Sequence, residues 1–525
     1  MIHILGDRDD SDTTEIVKRA FERSFTRGQV SQIESLRELP ADNVILVALS
    51  PPDTIAGDLE RLAARSSKIV LLGALGPQLA SLAGVEIAEA APALATAARC
   101  APAATYATSE SDAALVYDNV GPGAVSPLRI RHFARFDFTD EWNNLGFGRI
   151  GVGEDRWSIR QVAHRCATAV AHIGISGQTS LGAAVTLRDT PTSAVLWFAR
   201  PVGPVDGQDW AVIESFVSAH RSRELPWRPH LRGIPHGYCA AVTMRLDCDE
   251  DVASARALFD GYRRRNLPLS LAIKTGQPEH DAHIAMMADV VAGGGAILSH
   301  SVTHEPHWGG SAEAAEREAR DSRLWLEQRL PGLAVRYAVS PFHQNPRYVP
   351  AALARAGLSG FIGGTISSDP EYLLARGGVP PFGPTDIVTH SQSCMLHGDC
   401  MLADGDPLRI PKAAFLLARD FGEFFGFLDH PFSERYAYGW ASEAARIAAH
   451  SKFLDFIAAN ADESSGLLFV NEDTCLDFIR SRAAAEIAYD AASQTFAISQ
   501  TSAAGFPLSV ACHGRSEPAH GTAQQ

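Results

Sequence analysis

Leu298-Ser299-His300-Ser301-Val302-Thr303-His304 is the stretch from which the fold and the chemistry can be read. The apolar run Ala296-Ile297-Leu298 predicts a buried strand, and two histidines four apart follow it at once. On a helical turn His300 and His304 would share one face and grip one cation. Fifty-one residues upstream (249 to 300) a second apolar run ends in acid, Val242-Thr243-Met244-Arg245-Leu246-Asp247-Cys248-Asp249. One of these carboxylates and two imidazoles make a three-ligand site with positions left for water, the catalytic kind of zinc site. The other aspartate is then available to take that water's proton.

Outward from this stretch, strand and helix alternate from Tyr238 to about residue 480. The strand ending at Asp247 leads to a helix over 251–265 and a strand over 269–273. A helix over 282–292 precedes the histidine strand. After it come helix 312–328, strand 336–339, helix 350–356 and a short apolar piece at 360–362. Later, 425–428 reads as a strand running into Asp429-His430, with a helix over 441–460 beyond. The polar candidates recur at carboxyl ends of strands, where a (β/α) barrel keeps its active site. The expectation is a distorted (β/α) barrel over 236–480.

The preceding chain also has an α/β rhythm. Apolar runs at 2–5, 44–49 and 68–72 suit buried parallel strands, with helices over 13–24 and 54–65 between them. This predicts a doubly wound α/β accessory domain over 1–150, with its Asp-rich turn (7–12) read as a helix cap. An Ala-rich stretch at 88–104 reads as helix plus loop. Gly146-Phe147-Gly148-Arg149-Ile150-Gly151 fits GxGxxG, but no clear strand precedes it, so glycine turns are the better account. Residues 151–235 read as an α/β extension (helix 161–173, strand 194–198, helix 210–220) ending in a Pro-rich linker at 225–237. Alternation over 485–510 predicts a small β appendage within 481–515, and 516–525 reads as a disordered tail.

The chain of 525 residues is too long for one ordinary domain, and 46% hydrophobic with 20% charged residues is ordinary for a soluble enzyme. A net charge of −15 without a basic block excludes nucleic acid and anionic membrane as natural partners. No apolar run reaches the roughly 18 residues needed to span a bilayer. The N-terminus enters a strand pattern directly, with no secretory signal features, and the eight scattered cysteines make no CxxC pair. Free thiols in a cytoplasmic protein are the reading.

Each motif alone has a plain alternative. HxxxH is common, and Asp-x-Asp after a strand is often a helix cap or, in glycosyltransferases, a nucleotide-sugar motif. Order is what separates them: strand–Asp-x-Asp, strand–HxxxH, strand–Ser340-Pro341-Phe342, strand–Leu428-Asp429-His430. In that order, over about residues 238–475, the chain resembles the polysaccharide deacetylase superfamily, the NodB-homology group that includes carbohydrate esterase family 4.

The resemblance implies a metal-dependent hydrolase that removes an acetyl group from an N-acetylated (or O-acetylated) sugar. It implies one divalent cation, zinc above all, held by Asp249, His300 and His304. Binding would lower the pKa of a water from 15.7 to about 7. Asp247 would be the catalytic base and His430 the general acid, with the Phe342 backbone N–H, beside Pro341, at the oxyanion. His307 and Trp308 are candidates to line a sugar subsite. The partner would be an acetylated glycan or glycan precursor, as in surface-polysaccharide biosynthesis. Two departures stand out. Val339 occupies the position of the family's arginine, for which Arg245, Arg336 and Arg347 are the possible substitutes. The family's fourth motif has no match, and the stretch 394–404, with His397 and Asp399, reads as a structural loop. Hydrolysis of another C–N bond on the same barrel, or an inactive carbohydrate-binding member, are the competing functions.

Overall fold

The computed structural model describes residues 1–525 apart from 8, 91–112, 126–129, 133–155, 157, 176–179, 206–208, 279, 366–376, 391–393, 434, 462–465, 491–494, 500–504 and 520–525. The Gly146–Gly151 turns and most of the Ala-rich stretch fall outside the described residues. So do residues 520–525 of the expected tail, whereas Arg515–Pro518 is a strand.

The N-terminal half is built on one sheet of eleven strands. Val30–Ile33, Ile2–Leu5, Val44–Leu49, Ser67–Leu72 and Ser193–Phe198 lie side by side and parallel. Beyond them the sheet turns antiparallel through Ala183–Asp189 and Thr168–Ile175 to Ala113–Tyr117. Strands from both sides of residue 150 therefore share one sheet and one apolar core, so the expected division there does not appear. Residues 161–173 are not a helix but the strands Gln161–Cys166 and Thr168–Ile175. Their apolar positions fit both periods, and pairing with Val85–Glu89 and Ala183–Asp189 decides the outcome. The Asp-rich turn caps its helix: Asp10 accepts from the Thr13 backbone N–H at 3.1 Å.

The C-terminal half is a curled sheet of nine parallel strands, numbered here β1 (Ala240–Cys248), β2 (Ser270–Ile273), β3 (Ile297–Ser299), β4 (Tyr337–Asn345), β5 (Gly360–Thr365), β6 (Val388–His390), β7 (Cys394–Met395), β8 (Phe424–Asp429) and β9 (Leu467–Phe469). Their order is β6-β5-β4-β3-β2-β1-β8-β7, with β9 also on β1. Helices 256–264, 281–292, 312–329 and 443–459 cover the outside. The curl brings the two arms together. His390 at the end of β6 stands 3.2 Å from where a Cβ on Gly426 of β8 would sit, a close approach that a side chain at 426 would crowd.

The chain around the expected linker packs rather than hangs. Leu225, Trp227 and Ile234 are buried, and His230–Leu231 pairs with Ser509–Cys512 of the C-terminal appendage. The halves are tied by Arg347 on Asp12 and by Arg482 donating to the Arg23 carbonyl at 2.8 Å. No helix among the described residues is long and apolar enough to cross a membrane.

Candidate metal centre at the carboxyl ends of the barrel strands

Strand β1 carries Thr243, Arg245 and Asp247 on one face, and Asp249 follows one residue past its end. That face lines the barrel, so a column of polar groups runs up the interior to its mouth. At the top, Asp249 Oδ1 lies 3.3 Å from His300 Nε2 and 3.6 Å from His304 Nε2. Ligands about 2.0–2.2 Å from a shared cation at tetrahedral angles stand about 3.4 Å apart, so this spacing fits one ion. Asp249 Oδ1 is buried without a hydrogen-bond partner of its own, which also suits a cation. His300 Nδ1 is engaged with the Val339 carbonyl at 2.9 Å, which fixes the tautomer and leaves Nε2 with its lone pair toward Asp249.

The two histidines are not on a helix. After β3 the chain forms a loop in which Ser301 and His304 take φ of 63° and 61°. The backbone N–H groups of Val302 and Thr303 both donate to the Glu318 carboxylate at 2.8 Å. The carbonyls of Ser301 and Val302 accept from Thr275 and Gly276. With those groups engaged outside the segment, an α-helical ladder has nothing to build on, and the left-handed residues turn both rings to one point.

Asp247 is buried and ion-paired with Arg245: Nε to Oδ1 is 2.7 Å and Nη2 to Oδ2 is 3.3 Å. Burial alone would raise its carboxyl, but the Arg245 guanidinium, with His300 and His430, holds it down to about 2. The other two candidates for this role are engaged elsewhere, Arg336 on Asp477 and Arg347 on Asp12 and the face of Phe382.

His430, one residue past β8, brings Nε2 to 3.4 Å from Asp249 Oδ2. Burial lowers its proton affinity, and Asp249 more than restores it, so the ring sits above the ordinary imidazole value. Its Nδ1 meets His397 Nε2 at 2.7 Å, and its ring stacks on Tyr438 with centroids 4.2 Å apart. His397 thus enters the site, contrary to the loop expected there, because β7 pairs with β8 and delivers residue 397 beside residue 430. Beneath them, Asp429 is fully buried between His450 (3.0 Å), Arg446 (3.6 Å) and His397 (3.8 Å).

The residues Ser340–His343 form a bulge: the β4–β5 register jumps from Val339–Ile362 to Gln344–Gly364. Phe342 and His343 take φ of 52° and 54° within it. Pro341 is buried, the Phe342 ring lies 4.7 Å from that of His304, and His343 is buried toward Arg245. His307 is exposed on the rim. Trp308 offers no face to a ligand: it is fully buried, and its indole N–H donates to Asn345 Oδ1 at 3.0 Å. Sequence reasoning set His397 aside and passed over His343. Only the three-dimensional return of β4 and β7 marks them.

No protein-family model and no curated protein matches this chain. Solved structures do resemble it. A protein from Mycobacterium smegmatis assigned as a polysaccharide deacetylase is 16% identical, with TM-score 0.36, over 47% of this chain and 93% of its own. The chitin deacetylase of Colletotrichum lindemuthianum is 13% identical (TM-score 0.30; 47% and 92% covered). A family 4 acetyl xylan esterase from Clostridium thermocellum, in complex with cobalt, is 14% identical (TM-score 0.30; 45% and 89% covered). These are polysaccharide deacetylases and family 4 carbohydrate esterases.

Proposed function

We propose that the chain is a divergent, metal-dependent carbohydrate deacetylase of the polysaccharide deacetylase superfamily, acting on an N-acetylated or O-acetylated sugar. The observation that carries this reading is the convergence of Asp249, His300 and His304 on one point, with Asp247 and His430 beside it. Asp249, His300 and His304 would hold a divalent cation, zinc above all given one carboxylate and two imidazoles. When bound, the cation supplies Lewis acidity toward a water and toward the acetyl carbonyl.

The chain's own residues then divide the proton work. Asp247, kept ionised by Arg245, accepts the proton of the attacking water as general base. His430, whose proton affinity the surrounding carboxylates raise, would donate to the departing amine or alkoxide. Its ring is fixed for that transfer by His397 on Nδ1 and by Tyr438 on its face. The Phe342 backbone N–H is the proposed donor to the oxyanion, and the buried Pro341 and the bulge fix its place. Attack forms the C–O bond to the carbonyl carbon, and collapse breaks the bond to the sugar nitrogen or oxygen, releasing acetate.

The test is metal content and acetate release from N-acetylated glycans, comparing wild type with His300→Ala/His304→Ala. Acetate release that disappears in the double variant, together with the ion at this centre, supports the reading. Acetate release retained in that variant, or absent from wild type across acetylated glycans at full metal load, overturns it.

A further inference from the structure

The barrel holds a second cluster of metal-ligand groups. His390 ends β6, and Glu472 and Cys475 lie three apart in the first turn of the helix Glu472–Ala484, so both point the same way. One donor atom from each lies within 4.8 Å of the others, and their exposures are 1%, 0% and 0%. The groups are prepared as ligands. The His390 ring is held by the Phe424 backbone, and its Nε2 has no hydrogen-bond partner. Both carboxylate oxygens of Glu472 are buried without a well-formed hydrogen bond: Thr243 is the side-chain donor beside them, and Arg245 Nη1 is 3.9 Å away, its guanidinium gripping Asp247 through Nε and Nη2. A buried carboxylate left in that state is costly.

We propose that His390, Glu472 and Cys475 form a second metal site, beneath the catalytic centre, that takes a zinc-class divalent cation. The donor set of imidazole, carboxylate and thiolate selects a borderline-soft first-row ion over magnesium or calcium. Charge agrees. Asp247, Arg245, Glu472, Cys475 thiolate and one divalent cation form a neutral buried group. Without the cation, burial raises the Glu472 carboxyl to about 7. Metal entry replaces the thiol proton of Cys475 and, where present, the carboxyl proton of Glu472, releasing both to solvent. The helix N-terminus favours both anions. Such a site would fasten the C-terminal helix to β6 and, through Arg245, brace the base Asp247. Being enclosed, it would load during folding and resist chelators that strip the centre at the barrel mouth.

Cobalt separates this site from the first, because only this one has sulfur. The full chain is expressed with cobalt and its near-ultraviolet thiolate-to-cobalt absorption recorded, for wild type, His300→Ala/His304→Ala, and Cys475→Ser or Cys475→Ala in that background. The expected result is about one cobalt per chain with thiolate absorption in the histidine variant, and loss of both when Cys475 is replaced. Absence of the absorption in the histidine variant, or its survival in the Cys475 variants, overturns the site. Should the Cys475 variants fail to fold, X-ray absorption on the histidine variant decides. One sulfur and an imidazole around cobalt support the site, and an oxygen/nitrogen shell alone refutes it. These readouts do not involve acetate release, so the deacetylase reading can fail independently.

Discussion

Arg245 and Asp247 sit two residues apart on one strand, and the guanidinium grips the carboxylate through Nε at 2.7 Å and Nη2 at 3.3 Å. Both are buried. The position where the resembled family keeps its arginine is Val339, fully buried and apolar, whose carbonyl instead steadies His300. The arginine beside the proposed base thus comes from the base's own strand, which favours the proposed deacetylase over an inactive binder.

Arg245→Lys keeps a positive charge but loses the planar fork. Acetate release is expected to fall roughly 10–100-fold with little change in KM, since the group acts on the base and not on the sugar. Arg245→Met should cost more, including about 3–5 kcal/mol of stability, because it leaves Asp247 buried without its partner. Steady-state kinetics and thermal unfolding check both. Unchanged kcat in Arg245→Lys would refute the assignment.

His397 meets His430 Nδ1 at 2.7 Å. If it positions the acid, His397→Phe, which fills the space without a hydrogen bond, lowers kcat roughly 10-fold and leaves KM and metal content unchanged. Loss of metal in this variant would mean that His397 supports the fold of the centre as a whole.

How much of this was legible follows from period and range. Residues 243, 245, 247 and 249 alternate, so a strand alone puts Arg245 beside Asp247. Arg336 and Arg347 have no such alternation with Asp247, and that separates Arg245 from them. The convergence of the histidine pair is legible although the helix proposed for it does not form, because two left-handed residues turn both rings to one point. His397 was not legible: its place depends on β7 lying against β8, a pairing of two residues that leaves no periodic trace. Residues 161–173 were misread because their pairing partners, at 85–89 and 183–189, lie outside any local window.

Trp308, expected at a sugar subsite, is core. Trp308→Phe removes the hydrogen bond to Asn345 and some packing, and should cost about 1–3 kcal/mol of stability. KM for an acetylated glycan should stay within about twofold, given that no indole surface is exposed. A rise in KM with unchanged stability would return the residue to the subsite.

Lys68 lies wholly buried on the strand Ser67–Leu72, its Nζ donating to the Val217 carbonyl at 3.2 Å and set over Phe216. Burial, with Arg221 nearby, lowers its pKa to about 7, against about 10.4 when the chain unfolds. Between those values the unfolded state binds more protons, so this group makes stability rise with pH from about 7 to 10.4 and contributes no slope below 7. The full cost is present at and below neutrality and is on the order of 4–5 kcal/mol, at 1.36 kcal/mol per pKa unit. Lys68→Met is similar in length and has no charge to desolvate. Its Tm should exceed that of wild type at pH 7, and the gap should close as pH approaches 10. A gap independent of pH would show that the amine binds its proton equally well folded and unfolded, as it would if it reached water, and would remove Lys68 as the origin of the slope.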